Sequence, residues 1–153
     1  MSEAKTVKFL PEVTRIFLRK PVDEKWRLIQ IATLSFAVRV MVLLFPFKKL
    51  AAILGEQNSR SDQKGVELDW LYVDTVSRQI KNVSRYVPWT SNCLVQATVG
   101  KILLRKKSIE STVSFGVKKS GSKMDAHAWL TVGPKIVLGG EIADQFVEVS
   151  SFS

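Results

Sequence analysis

Four apolar residues, Val73, Val76, Ile80 and Val83, follow one another at steps of three, four and three. That spacing lines one face of a helix and predicts one over "ELDWLYVDTVSRQIKNVSRYV". Upstream, "FLPEVTRIFLRKP" reads as a short helix stopped by Pro21. Asp23 is the candidate N-cap of a long helix through "EKWRLIQIATLSFAVRVMVLLF". Pro46 disfavours helical backbone at Phe45 and can open a third helix, "PFKKLAAIL", with Gly55 as its stop. From Gly55 to Gly65 the chain is polar and turn-rich, a loop or linker. Pro88 and Trp89 break the Val73–Val83 helix. Thr90, Ser91 or Asn92 can then cap another, "CLVQATVGKILLRKK".

After Ile109 the period changes from helical to alternating. In "STVSFGVKK", Val113, Phe115 and Val117 alternate with Thr112, Ser114 and Gly116. "KSGSK" is a turn. "DAHAWLTV" alternates again, with Ala126, Ala128 and Leu130 on one face and His127, Trp129 and Thr131 on the other. "GPK" turns the chain into "IVLGG", and "QFVEVSSF" reads as a last strand. Helices followed by strands, with one helix leading straight into the sheet, give an α+β fold. The linker suggests residues 1–64 as a helical N-terminal region and 65–153 as the core, or one compact unit.

Composition narrows the class. The 153 residues suit an ordinary domain, and 46% apolar residues suffice for a core. A single cysteine cannot form an internal disulfide, so the cytoplasm is the expected compartment. One Cys and one His argue against a zinc site, and no cofactor site is visible. The net charge of +9 points to an anionic partner or simply to solubility. No helix-turn-helix, zinc-finger, RNA-recognition, P-loop or dinucleotide motif accompanies it, so nucleic acid is not the expected partner. The cluster Lys101, Arg105, Lys106, Lys107, Lys118, Lys119 and Lys123 reads as a solvated face that could dock an acidic peptide.

The run Leu28 to Phe47 is long enough to span a bilayer. It starts too far from the N-terminus for a signal peptide. Arg39 lies near its middle, where a charge in lipid costs about 2.5–3.5 kcal/mol. A buried or partner-facing helix is therefore preferred over a membrane segment. Flanking Arg19, Lys20, Lys25, Arg27, Lys48 and Lys49 would nevertheless suit an anionic surface.

The only cysteine, Cys93, and the only histidine, His127, stand about thirty residues apart. Cys93 falls in the first turn of its helix, where unpaired amides and the helix dipole favour a thiolate. His127 lies on a strand, and an imidazole beside the thiol could take its proton and later protonate a leaving amine. The bland alternative is a small core thiol and an ordinary histidine. Asn92 and Gln96 could offer an oxyanion amide, although capping and helix-surface roles fit them better. Trp89 and Trp129 can wall a cleft or fill the core.

"PWTSNCLVQATVGKILLRKKSIESTVSFGVKK" followed by "AHAWLTVGPKIVLGGE" resembles the transglutaminase-like cysteine peptidases that mature lasso peptides. The resemblance covers about Pro88 to Phe152, with "FLRKPVDEKW…FPFKKLA" as a looser helical lead-in. It implies a papain-like core, with the nucleophile at a helix N-terminus packed on an antiparallel sheet. It also implies a leader peptidase acting on a ribosomally made precursor peptide. A small separate leader-binding protein and an asparagine-synthetase-like cyclase would be its partners. Cys93 matches the nucleophile and His127 the base. The competing classes are an acyltransferase using the same pair and a non-catalytic basic binding module.

The third position departs from the family pattern, which often has an aspartate on the strand after "HAW". A three-residue loop at residues 133–135 would set Val132 opposite Ile136 and His127 opposite Glu141. Glu141 is then the first choice to orient the imidazole, and Asp144 the second. A two-residue loop would instead put Gly140 opposite His127, unless a Gly-Gly bulge restored the register. A backbone carbonyl could also hold the ring. Asp125, on the His127 face, ranks below these.

Overall fold

The structure, a computed structural model, describes residues 18–57 and 68–153. Most of the short helix expected before Pro21, and most of the linker, lie outside the described residues. Among the described residues four helices come first: α1 (Val22–Leu44), α2 (Phe47–Leu54), α3 (Trp70–Tyr86) and α4 (Cys93–Arg105). Four strands follow: β1 (Thr112–Ser120), β2 (Lys123–Val132), β3 (Lys135–Leu138) and β4 (Val147–Phe152). They form one antiparallel sheet in the order β3-β2-β1-β4. The fold is α+β, as the order of periods predicts.

The start of α1 differs from expectation. Pro21 occupies the N-cap, with φ −60° and ψ 155°, and Asp23 caps nothing. Proline already holds the φ that helix entry needs. Asp23 and Glu24 instead sit in the first turn, where carboxylates face the positive end of the helix dipole. Phe45 before Pro46 is extended, which separates α1 from α2. Asp69 caps α3 by accepting from Tyr72 N at 2.9 Å.

Ile31 and Val38 of α1 join Leu50 and Leu54 of α2 in one core cluster with α3, α4 and the sheet. The expected stripe of α3, Val73, Val76 and Ile80, is fully buried there, with Val83 packed at its margin. α1 is buried on one face only: Ile31, Ser35 and Val38 are buried, while its opposite face is exposed. α1 has 23 residues, with an 18-residue stretch of mean hydropathy 1.7, long and apolar enough to cross a membrane. The same length and composition also suit the core helix of a soluble protein.

α4 lies over the sheet. Gly100 permits the close approach: a Cβ there would come within 2.6 Å of Leu130 and 2.8 Å of Leu138. The next residue, Lys101, departs from the solvated face expected of it. Its side chain is buried, and Nζ donates to Ser111 O at 2.5 Å and Phe152 O at 3.3 Å. Those two carbonyls mark the start of β1 and the end of β4, so the lysine braces the sheet. Burial, with Arg105 nearby adding to it, pulls its pKa down to about 8. Gly55 to Gln57 runs beside the same end of β4, exchanging Glu56 N to Ser153 O (3.0 Å) and Ser153 N to Glu56 O (3.2 Å).

β2 keeps the predicted alternation. Ala128 pairs with Phe115 and Leu130 with Val113 on the helix-covered face. His127 pairs with Gly116 and Trp129 with Ser114 on the other. The turn into β3 takes the shorter of the two loop lengths considered. Val132 pairs with Lys135, so the loop is the two residues Gly133 and Pro134. The register then slips by one at Val137, so that Leu130 meets Leu138. The slip therefore falls before the glycine pair and not within it.

Candidate active site

Cys93 is the first residue of α4. Of the three candidate caps, Asn92 serves: it is extended, and its Oδ1 accepts from Val95 N at 3.1 Å. The amides of Cys93 and Leu94 precede the first intrahelical donors, so the positive end of the peptide dipoles gathers around the thiol. Gln96 is engaged as a brace, its Nε2 donating to Ser91 O at 2.9 Å. Cys93 itself is half-buried.

A hydroxyl cluster fixes the segment before the cysteine. Ser91 Oγ meets Ser84 Oγ of α3 at 2.9 Å and Ser35 Oγ of α1 at 3.3 Å. Trp89 Nε1 donates to Ser35 Oγ at 3.1 Å, and its ring meets Phe36 edge-on at 5.2 Å. Two helices thus hold the loop that carries the thiol. Neither Ser35 nor Ser84 left a signal in the sequence, because a lone hydroxyl on a helix face has many bland explanations.

His127 is half-buried at the far side of β2. Its Nε2 lies 2.7 Å from Gly139 O. A carbonyl oxygen can only accept, so Nε2 is the donor, and the neutral tautomer this bond selects has its lone pair on Nδ1. Phe146 at 5.2 Å and Trp129 at 6.2 Å flank the imidazole. Trp129, only 6% exposed, is a packing residue beneath the histidine. Gly139 turns the chain with φ +73°, and a Cβ there would come within 2.6 Å of Ala128 O. Glycine is what allows this carbonyl to sit at the imidazole.

The acids are placed elsewhere. Glu141 is exposed and ion-paired with Lys81 of α3 at 2.5 Å. The hydrogen bond from Lys81 holds its carboxyl below the usual range, with a smaller contribution from His127. The carboxylate therefore feels the imidazole but spends its hydrogen bond on the lysine. Asp144 lies on a short turn of helix, Ala143–Gln145, exposed. Asp125 pairs across the sheet with Lys118.

The two singletons come to the same end of the molecule. Gly100 lies over Leu130, and Lys101 reaches toward the start of β1, which pairs with the end of β2. Helix α4 and strand β2 therefore run in the same direction. Seven helical residues back from Gly100 and three strand residues back from Leu130 each cover about 10 Å, so Cys93 and His127 lie level along their elements, with the imidazole on the sheet face turned away from α4. α3 links them as well, through Ser84 at the Cys93 loop and Lys81 at Glu141. Leu130 is the last β2 residue paired with β3, so His127 lies on an open stretch of strand edge. The thiol and the imidazole are not hydrogen-bonded to each other; the histidine's bond goes to Gly139.

A cysteine at a helix N-terminus, a helix laid on an antiparallel sheet and a held imidazole on that sheet are the parts from which thiol-nucleophile enzymes are built. The chain belongs to the transglutaminase-like superfamily, which it matches over residues 36–151. That superfamily includes cysteine proteases and acyltransferases. No match was found among curated proteins or among solved structures.

Proposed function

We propose that the protein is a cysteine peptidase that removes the leader from a ribosomally made lasso-peptide precursor. It would work with a separate leader-binding protein and an asparagine-synthetase-like cyclase. The superfamily membership supports the thiol chemistry. The "W…CLVQA" helix start, "FGV" strand, "AHAW" strand and "VLGG" turn support the narrower substrate. The observation that carries the chemistry is His127 with Nε2 held by Gly139 O and Nδ1 free, level with Cys93 at a helix start.

In the proposed reaction Nδ1 takes the thiol proton as substrate binding draws the two groups together, since catalytic hydrogen bonds often tighten only in the complex. Sγ attacks the scissile carbonyl, and the amides at the start of α4 face the oxyanion. The imidazolium returns its proton to the leaving amine. Water, deprotonated by Nδ1, then cleaves the thioester and releases the leader with a free carboxylate. Gly139 O plays the orienting part throughout, with Glu141 adding a favourable charge at a distance.

The test is cleavage of candidate precursors with the partner protein present, followed by mass spectrometry. A leader ending in a free carboxylate, formed by the wild type and not by His127→Ala, is expected. An amide adduct as the main product would instead assign the same pair to acyl transfer, the second reading that superfamily membership allows.

A further inference from the structure

α1 is apolar on two opposite faces. Ile31, Ser35 and Val38 point into the core. Val22, Trp26, Ile29, Phe36, Leu43 and Leu44 point away from it, each between 47% and 71% exposed. Their spacing keeps them on one side of the helix along its whole length, about 34 Å. Phe45, also exposed, follows directly after the helix. A soluble monomer rarely leaves so long an apolar strip bare.

Charge indicates what covers it. Between Arg19 and Lys49 there are seven basic residues, with Lys20, Lys48 and Lys49 near the ends, against only Asp23 and Glu24. The chain as a whole carries +9. A second copy would set like charges against one another, whereas an anionic lipid surface would be attracted along the helix. Crossing the bilayer is opposed by the inner face. Ser35 Oγ accepts from Trp89 Nε1 and bonds to Ser91 Oγ, while Ile31 and Val38 are locked in the core.

We infer that the outer face of α1 is a docking surface for an anionic membrane, lying in the interface plane. Apolar side chains enter the acyl boundary and the flanking lysines and arginines meet lipid phosphates. Phe36 of this stripe touches Trp89, four residues before Cys93, so the docked bilayer lies beside the thiol's loop. The inference stands apart from the peptidase reading and needs no substrate to test.

The full chain is sedimented with vesicles of equal parts phosphatidylglycerol and phosphatidylcholine. Binding is expected, weaker by about tenfold or more on pure phosphatidylcholine or in high salt. The double variant Ile29→Glu, Leu43→Glu should lose about tenfold or more of the binding, with unchanged circular dichroism and elution volume. Should that variant misfold, brominated lipid provides the reading: it should quench wild-type tryptophan fluorescence, and Trp26→Phe should remove most of the quenching. No binding, or equal binding to neutral vesicles, overturns the inference. So does a wild-type dimer that the double variant converts to monomer, or bound protein that resists an alkaline carbonate wash and therefore spans.

Discussion

Gly116→Ala probes the packing that supports His127. Gly116 faces His127 across β1 and β2 and is buried. An added Cβ would lie 2.8 Å from Phe146 Cβ and 2.8 and 2.9 Å from the Trp129 ring, where carbon contacts normally begin near about 3.5 Å. Something must therefore move by more than half an ångström. Trp129 has little space to yield, at 6% exposure, and Phe146 is blocked at its Cβ rather than at a flexible tip. Overpacking of this kind costs about 1–3 kcal/mol. Against that, replacing a strand glycine gains about 0.5–1 kcal/mol of backbone entropy. The net expectation is destabilisation on the order of 1 kcal/mol, a fall in Tm of about 2–4 °C for a domain of this size. Because Phe146 and Trp129 flank the imidazole, turnover should fall more than stability does. Urea denaturation followed by circular dichroism gives the first quantity and a cleavage assay the second. A Gly116→Ala protein as stable and as active as wild type would refute the packing argument.

Other substitutions separate the remaining claims. Glu141→Gln should leave leader cleavage within a few-fold of wild type, because the carboxylate serves Lys81, whereas Gly139→Ala should abolish it by displacing the carbonyl; the reverse order would restore Glu141 as orienter. Lys101 has a folded pKa of about 8, lowered from 10.5, so between those values the unfolded chain binds the extra proton and stability rises with pH. That rise, read from urea midpoints at the two ends of this pH window, should be missing in Lys101→Met, and equal slopes would contradict it. Gly55→Ala should be among the most damaging changes, since φ is +102° and a Cβ would lie 1.9 Å from Ser153 O; a midpoint within error of wild type would dismiss the strap between Gly55 and β4.

The sequence made the elements and the placement of Cys93 and His127 on them legible because both rest on local rules. The steps of Val73, Val76, Ile80 and Val83, the caps near Cys93 and the alternation through His127 depend on neighbours a few residues away. What escaped was set by contacts distant in sequence. Lys101 is counted as a surface charge until Ser111 O and Phe152 O are seen around it. The orienting group depended on one residue of register: the hairpin takes the shorter of the two loop lengths and slips at Val137, and Gly139 then turns its carbonyl to the imidazole. Glu141, the acid that counting favoured, was drawn off by Lys81, sixty residues earlier in the chain. The two-faced character of α1 escaped for another reason: an all-round apolar helix does not reveal which side the core takes.

The central claim is that Cys93 is the nucleophile of a leader peptidase. Its most direct test is leader release from a precursor by the wild type and by Cys93→Ala, with circular dichroism confirming that both are folded. The account predicts release by the wild type and none by Cys93→Ala. Equal release by both would contradict it.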